Sequence, residues 1–362
     1  MTMIGKNINE LATPELVIDL NIVDQNYKTV SEAYQSSHLK MRTHTKNIKS
    51  PFLARKQVEA GGSNGGVCTA KVSEAEVMIE GGFNNILIAN QVVSNDKIER
   101  LCSLAKFADM KVGIDNLDNL KNLSRFAKKH QVTLGVLVEI NTSMFRCGVR
   151  SSKHAVDLAK AATELPNINF RGVMSHQSIK QPNPSEKERW NIGEEYIDTF
   201  LESKRAIEES GIDVDIVSTG ETFTFDIVLK YPEITEVQGG TYALMDVNYP
   251  YMPFDIAAKV MCSIIDINLK KNQITIDSGN KCIAAPNFAK PILENQNADL
   301  ETMSLDYSIY NVPDASKYNL GDKLFLLTTH QDGLINRWDQ FIGVRDGAVE
   351  GIWDIMGRGC YH

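Results

Sequence analysis

Cysteine is sparse in this chain: six residues in 362, at positions 68, 102, 147, 262, 282 and 360, with no CxxC pair among them. That scatter excludes a disulfide framework and argues against a thiolate zinc site, so reduced thiols in a reducing compartment are expected. Positive charge is also in deficit. A net charge of −8 offers no basic surface of the kind that nucleic-acid backbones or anionic lipids require. No run of eighteen uncharged apolar residues occurs, and the opening MTMIGKNINELATPELVIDL has no basic segment followed by an apolar stretch. The expectation is a cytoplasmic protein that binds neither nucleic acid nor membrane. A glycine-rich dinucleotide turn, a solenoid-length repeat and low-complexity sequence are missing as well. Small-molecule chemistry is the class left standing.

What the chain does contain is a long alternation. Short apolar runs occur at 39–44, 66–70, 85–90, 111–115, 134–140, 170–176, 214–219 and 235–238. Between them lie amphipathic patterns such as SPFLARKQVEA, NLDNLKNLSRFAKKH and SSKHAVDLAKAATEL, several opening on Ser or Asn where a helix N-cap belongs. Eight buried strands, each followed by a helix, describe a closed parallel (β/α)8 barrel better than an open sheet. After residue 255 the pattern changes to alternating runs separated by turns, with RDG as a hairpin signal, which predicts an antiparallel β domain. ELVIDL (15–20) is a further strand that could pair with it. The expected division is a barrel over 21–255 and a β domain built from 1–20 and 256–362. HQSIKQPNPSEKERWN (176–191) is expected as the longest loop.

Against the acidic background, KMRTHTKNIKSP (40–51) holds four basic residues and a histidine. Barrels of this kind place their reactive groups at the C-terminal ends of strands, which is where Lys46 falls, and a lysine crowded by cations can serve as an imine-forming amine. The alternative is a solvated basic loop. VSTGETFT (217–224) and VQGGTYALMD (237–246) follow the seventh and eighth runs, the usual place for a phosphate cradle of backbone N–H groups. Together these stretches point to a phosphorylated cofactor bound through an imine.

The chain resembles the fold-type III pyridoxal-phosphate enzymes related to D-threonine aldolase and D-serine dehydratase, which share an alanine-racemase-like barrel with a β domain. ATPELVIDL resembles their TPxLVxDL, RTHTKNIKSP their RPHxKTHKSP, VSTGETFT their VSGGGTGT, QGGTYALMD their QPGSYxFMD, and THQDGLINRWD their xHCDPTVNLYD; ILIANQVV and VEINTSMFRCGV resemble the third and fifth strand regions. The resemblance implies that Lys46 carries the cofactor and that Arg146 faces it. It implies phosphate contacts at Thr219, Gly220, Thr222, Gly240, Thr241 and Tyr242, and a divalent metal at His330 and Asp332. A histidine and a carboxylate two apart at a strand end would share one face. His-x-Asp is the aldolase pattern and suits manganese or magnesium better than zinc.

The departures concern protons. Ile48, Ile179 and Tyr307 stand where the family carries histidines, leaving His176 as the candidate base. The resemblance implies a lyase that splits D-β-hydroxy-α-amino acids by retro-aldol cleavage to glycine and an aldehyde. The alternatives are a D-hydroxy amino acid dehydratase and a pyridoxal-phosphate-binding protein with altered or lost catalysis. An amino-acid substrate and a homodimer are the implied partners.

Overall fold

The computed structural model describes residues 3–179, 181, 183–285 and 289–362. It divides into two compact units, one formed by Lys28–Lys46, Pro51–Gly240 and Cys360–His362, the other by Met1–Tyr27, Asn47–Ser50 and Thr241–Gly359. After β1 (Glu15–Asp19) and α1 (Leu20–Gln35), the first unit runs through β2 (Lys40–His44), β3 (Ser63–Thr69), β4 (Asn85–Ile88), β5 (Asp109–Ile114), β6 (Leu134–Glu139), β7 (Ile168–Met174), β8 (Ile216–Ser218) and β9 (Glu236–Val237). These eight close into a parallel barrel in sequence order, β9 pairing back onto β2. Leu134–Glu139 is buried at every position, as expected of a strand covered on both faces.

The helices of the barrel are α2 (Pro51–Ala60), α3 (Val72–Glu80), α4 (Asn95–Leu104), α5 (Leu117–His130), α6 (Ser152–Glu164) and α7 (Glu186–Glu209). Two of the predicted caps form, Asn116 accepting from the amides of Asp118 and Asn119 and Ser151 from that of His154, whereas the Ser50 hydroxyl before α2 is buried with no partner. The stretch expected as the longest loop is shorter than its composition suggests. Ser185 and Glu188 make a reciprocal capping box, so the helix begins at Glu186. Lys180 and Pro182 of that stretch lie outside the described residues.

The barrel interior contains a buried ion network at the N-terminal ends of the strands. Arg42 donates from Nε and Nη2 to the two oxygens of Glu236 at 2.7 and 2.9 Å and from Nη1 to Asn85 Oδ1 at 2.9 Å. Asn64 donates to Glu236 Oε2 at 2.7 Å and Lys111 to Asn85 Oδ1 at 2.9 Å. The bidentate geometry and the extra donors are what make a buried pair tolerable. Above it, Cys68, Leu87, Leu137, Met174 and Ile216, from β3, β4, β6, β7 and β8, form an apolar cluster.

The other unit is a sheet of β1 with β10 (Ala258–Asn268), β11 (Gln273–Ile276), β12 (Ile292–Leu293), β13 (Asp299–Met303), β14 (Ser308–Asn311), β15 (Lys323–Leu327), β16 (Gln340–Arg345) and β17 (Ala348–Asp354). ELVIDL does pair with this sheet, antiparallel to β10 and parallel to β16. The remaining pairs are antiparallel. Asp346 and Gly347 both take positive φ, 51° and 78°, which is the turn chemistry a two-residue hairpin between β16 and β17 needs. Leu11, Val17, Met261, Ile342, Val344 and Val349 form a core cluster here.

Candidate active site

β2 ends at His44, and the chain makes one 3-10 turn, Thr45–Asn47. Three hydrogen bonds shape that turn. The His44 amide donates to the Gly239 carbonyl at 2.8 Å, the Lys46 amide to His44 Nδ1 at 3.4 Å, and the Thr45 hydroxyl to the Cys68 carbonyl at 3.1 Å. They hold Lys46, half-buried, at the C-terminal end of the barrel. Two other cations of the segment are committed elsewhere: Lys40 donates to the carbonyls of Tyr34 and Ser37 at 3.2 and 3.0 Å, and Arg42 to Glu236. The expected crowding of Lys46 by Arg42 is therefore not what the fold builds, because Arg42 is needed to neutralise a buried glutamate at the other end of the strands.

Arg146 supplies the second positive charge. It stands exposed in the loop after β6, which returns on itself through an Ile140–Val149 bridge. Asp115 accepts from the Gly148 amide at 2.8 Å and Asn141 donates to the Cys147 carbonyl at 2.8 Å, closing the turn that carries the arginine.

His176 and Glu221 both feel Lys46 and Arg146. Burial first, then the two cations, push the His176 imidazole down to about 3, so it is neutral at ordinary pH. Glu221 is pushed up to about 8 by burial, which outweighs the opposing pull of Lys46 and Arg146. Its Oε1 is buried without a hydrogen-bond partner.

The loop after β8 is held by a chain of side-chain bonds. Ser175 and Thr219 share a 2.5 Å hydrogen bond, Gln177 donates to Thr219 Oγ1 at 3.2 Å, and Thr224 donates to Gln177 Oε1 at 2.9 Å. The Glu221 amide donates to Thr224 Oγ1 at 3.1 Å. Gly220 has φ 83°, and a Cβ there would come within 3.1 Å of Val228 Cγ1 and 3.2 Å of Thr224 Oγ1, so only glycine makes this turn. Thr219 and Thr222 are buried, as is Gly240 after β9. The Thr219 hydroxyl is thus a structural tie. Sequence reasoning missed Ser175, Gln177 and Glu221, although a single carboxylate among hydroxyls and glycine in VSTGETFT is a readable signal.

In the β-sheet unit, Thr241 accepts from Asn47 Nδ2 at 3.2 Å, and Tyr242 is fully buried with its ring edge-on to Tyr27 at 5.9 Å. His330 and Asp332 do not sit on a strand. His330 caps the short helix α8 (Gln331–Ile335), its Nδ1 accepting from the Gly333 amide at 3.0 Å, and Asp332 lies in the first turn. Helix-cap geometry, not strand alternation, sets where the two residues stand. Asn47 donates to Asp332 Oδ1. The buried Asp246 carboxyl, raised by burial, feels both His330 and Asp332. Among the described residues no group of three or more His, Cys, Asp or Glu side chains is arranged to hold a metal ion. An imidazole and one carboxylate suit a hard divalent ion that keeps most of its water, and fall short of a closed structural zinc site.

An amine, a guanidinium, a neutral imidazole and a glycine turn rich in hydroxyls fit a phosphorylated aldehyde cofactor by their chemistry, and the unpartnered Glu221 oxygen leaves a polar demand for such a group to meet. Comparison with known proteins agrees. Residues 18–246 match the alanine racemase N-terminal domain. The chain is 30% identical to the 3-hydroxy-D-aspartate aldolase of Paracoccus denitrificans (strain Pd 1222), over 98% of this chain and 94% of that one. It is 29% identical to the D-threonine aldolase of an Arthrobacter species, covering 98% of this chain and 95% of the relative. The crystal structure of D-threonine aldolase from Filomicrobium marinum superimposes with a TM-score of 0.94 at 30% identity, each chain covered in full. The chain belongs to the alanine-racemase-like, fold-type III family of pyridoxal-phosphate enzymes.

Proposed function

We propose that this chain is a pyridoxal-phosphate-dependent aldolase that cleaves D-β-hydroxy-α-amino acids to glycine and an aldehyde. The observation that carries the reading is the end-to-end likeness to relatives named as aldolases, joined to an aspartate, Asp332, as the second of the paired metal-binding candidates. Lys46 would hold the cofactor, Arg146 would face its ring, and Thr219, Gly220, Thr222, Gly240, Thr241 and Tyr242 would surround its phosphate. Bound there, pyridoxal phosphate supplies the sink for the electron pair left when the Cα–Cβ bond breaks.

The chain's own groups handle the substrate and its proton. His330 and Asp332 would hold a divalent ion, whose chemistry there would be to acidify the substrate's β-hydroxyl. His176, half-buried and kept neutral by desolvation and two nearby cations, has a lone pair for the hydroxyl proton; at about 3 it is a weak base, able to take that proton only from a hydroxyl already strongly acidified. Asn47 holds Asp332 in place from the residue next to Lys46 in the chain. Incubation with D-threonine and with 3-hydroxy-D-aspartate should release glycine, stop on addition of a chelator, and resume with excess manganese. Ammonia and a 2-oxo acid in place of glycine would identify a dehydratase, and no turnover of either substrate would leave only a binding protein.

A further inference from the structure

Glu221 is the one ionisable side chain in VSTGETFT, and its place is specific. It follows the glycine whose positive φ makes the turn and precedes Thr222–Thr224, the first 3-10 segment after β8. The loops after the last two strands are where such barrels bind phosphate. Its backbone is fixed at both ends, the amide bonded to Thr224 Oγ1 at 3.1 Å and the carbonyl accepting from the Thr224 amide at 3.2 Å. Fixed in this way, the residue presents a buried oxygen with no partner. A buried carboxyl oxygen is seldom left without a bond unless a bound group completes it.

We propose that the Glu221 carboxyl carries a proton and donates it in a hydrogen bond to the cofactor's phosphate, making the phosphate grip sensitive to the charge on this one residue. The inference rests on the pyridoxal-phosphate reading above and adds a residue to it. The physical reason is simple: a carboxylate beside a phosphate dianion repels it, whereas a carboxylic acid supplies a donor. The charged and titratable groups facing Glu221 are Lys46 after β2, Arg146 after β6 and Tyr196 on α7. Both cations favour ionisation, yet burial dominates and holds the carboxyl up at about 8. Tyr196 is raised above its ordinary value and stays neutral over the range that matters.

The test compares two aldehydes on the full-length chain stripped of cofactor: pyridoxal phosphate and pyridoxal. Affinity is read from the absorbance of the bound aldehyde between pH 7 and 9, and the attachment point from peptide mapping after borohydride reduction. Loss of the Glu221 proton with a midpoint of about 8 should weaken pyridoxal phosphate about tenfold across that range relative to pyridoxal. Any titration of the lysine amine affects both aldehydes alike, so the ratio isolates the phosphate. Glu221→Gln keeps the shape and a donor but cannot ionise, and its ratio should be flat. Parallel pH dependence for the two aldehydes, or an unchanged slope in Glu221→Gln, would overturn the inference while leaving the cofactor reading intact. Failure of both aldehydes to label Lys46 would overturn the reading itself and this inference with it.

Discussion

His176 shows how far the burial of one side chain can set its chemistry. With its imidazole pushed down to about 3 by burial, and further by Lys46 and Arg146, it stays neutral from that pH upward. The proton it would take from the β-hydroxyl is therefore not in competition with protons from solvent at ordinary pH. His176→Asn should lower kcat by about 10²- to 10⁴-fold while cofactor loading, read by absorbance, is kept. An unchanged kcat would move the base elsewhere. If activity declines in acid near the usual histidine value, a different group is responsible, since His176 titrates well below it. The residue was legible in the sequence only by elimination, after Ile48, Ile179 and Tyr307. Its neutrality was not, because that depends first on desolvation in the folded barrel and then on charges from loops far apart in the chain.

Among the elements, caps and strand ends carry the argument. Asn116 accepts two amides at the start of α5, and Asn116→Ala should cost about 1 kcal/mol, measured as a lower denaturant midpoint with an unchanged m-value. No loss would mean that water replaces the cap fully. The long apolar runs of the barrel were readable because a strand buried on both faces has few polar residues. Ile292–Leu293 and Asp299–Met303 were not, the first being two residues long and the second mostly exposed, with Asp299 and Glu301 breaking its apolar character. The start of α7 was hidden by Pro, Asn and charge, although Ser185 and Glu188 stand at capping-box spacing. His330 and Asp332 are expected from motif alone, and their local geometry is not that of a strand end: a cap and a helical first turn follow from the Gly333 amide bonding His330 Nδ1, which alternation in TTHQD does not reveal.

At the scale of the whole molecule, the barrel separates its stabilising charges from its chemical ones. Arg42 and Glu236 are nearly inaccessible, with side chains 2% and 6% exposed. Burial alone would raise the Glu236 carboxyl, but Arg42, helped by Ser218 and Lys111, holds it below its ordinary value. A depressed carboxylate contributes stability above its unfolded pKa and loses it as pH falls through the folded one, so this support is present at neutral pH and fails only in strong acid. Glu236→Ala would strand Arg42 in the interior and should destabilise by about 3–5 kcal/mol at pH 7, seen in equilibrium unfolding. A loss below about 1 kcal/mol, the size expected of an exposed pair, would mean that water reaches the arginine. The same basic cluster that suggested chemistry thus divides: Arg42 serves the fold, and Lys46, four residues later, points to the site.

The account stands on Lys46 as the attachment point of the cofactor. Loading the chain with pyridoxal phosphate, reducing with borohydride and mapping peptides should find the label on Lys46 alone, and Lys46→Ala should bind the vitamin without any reducible bond. A label on another lysine in the unmodified protein, or a stable reduced adduct in Lys46→Ala, would contradict it.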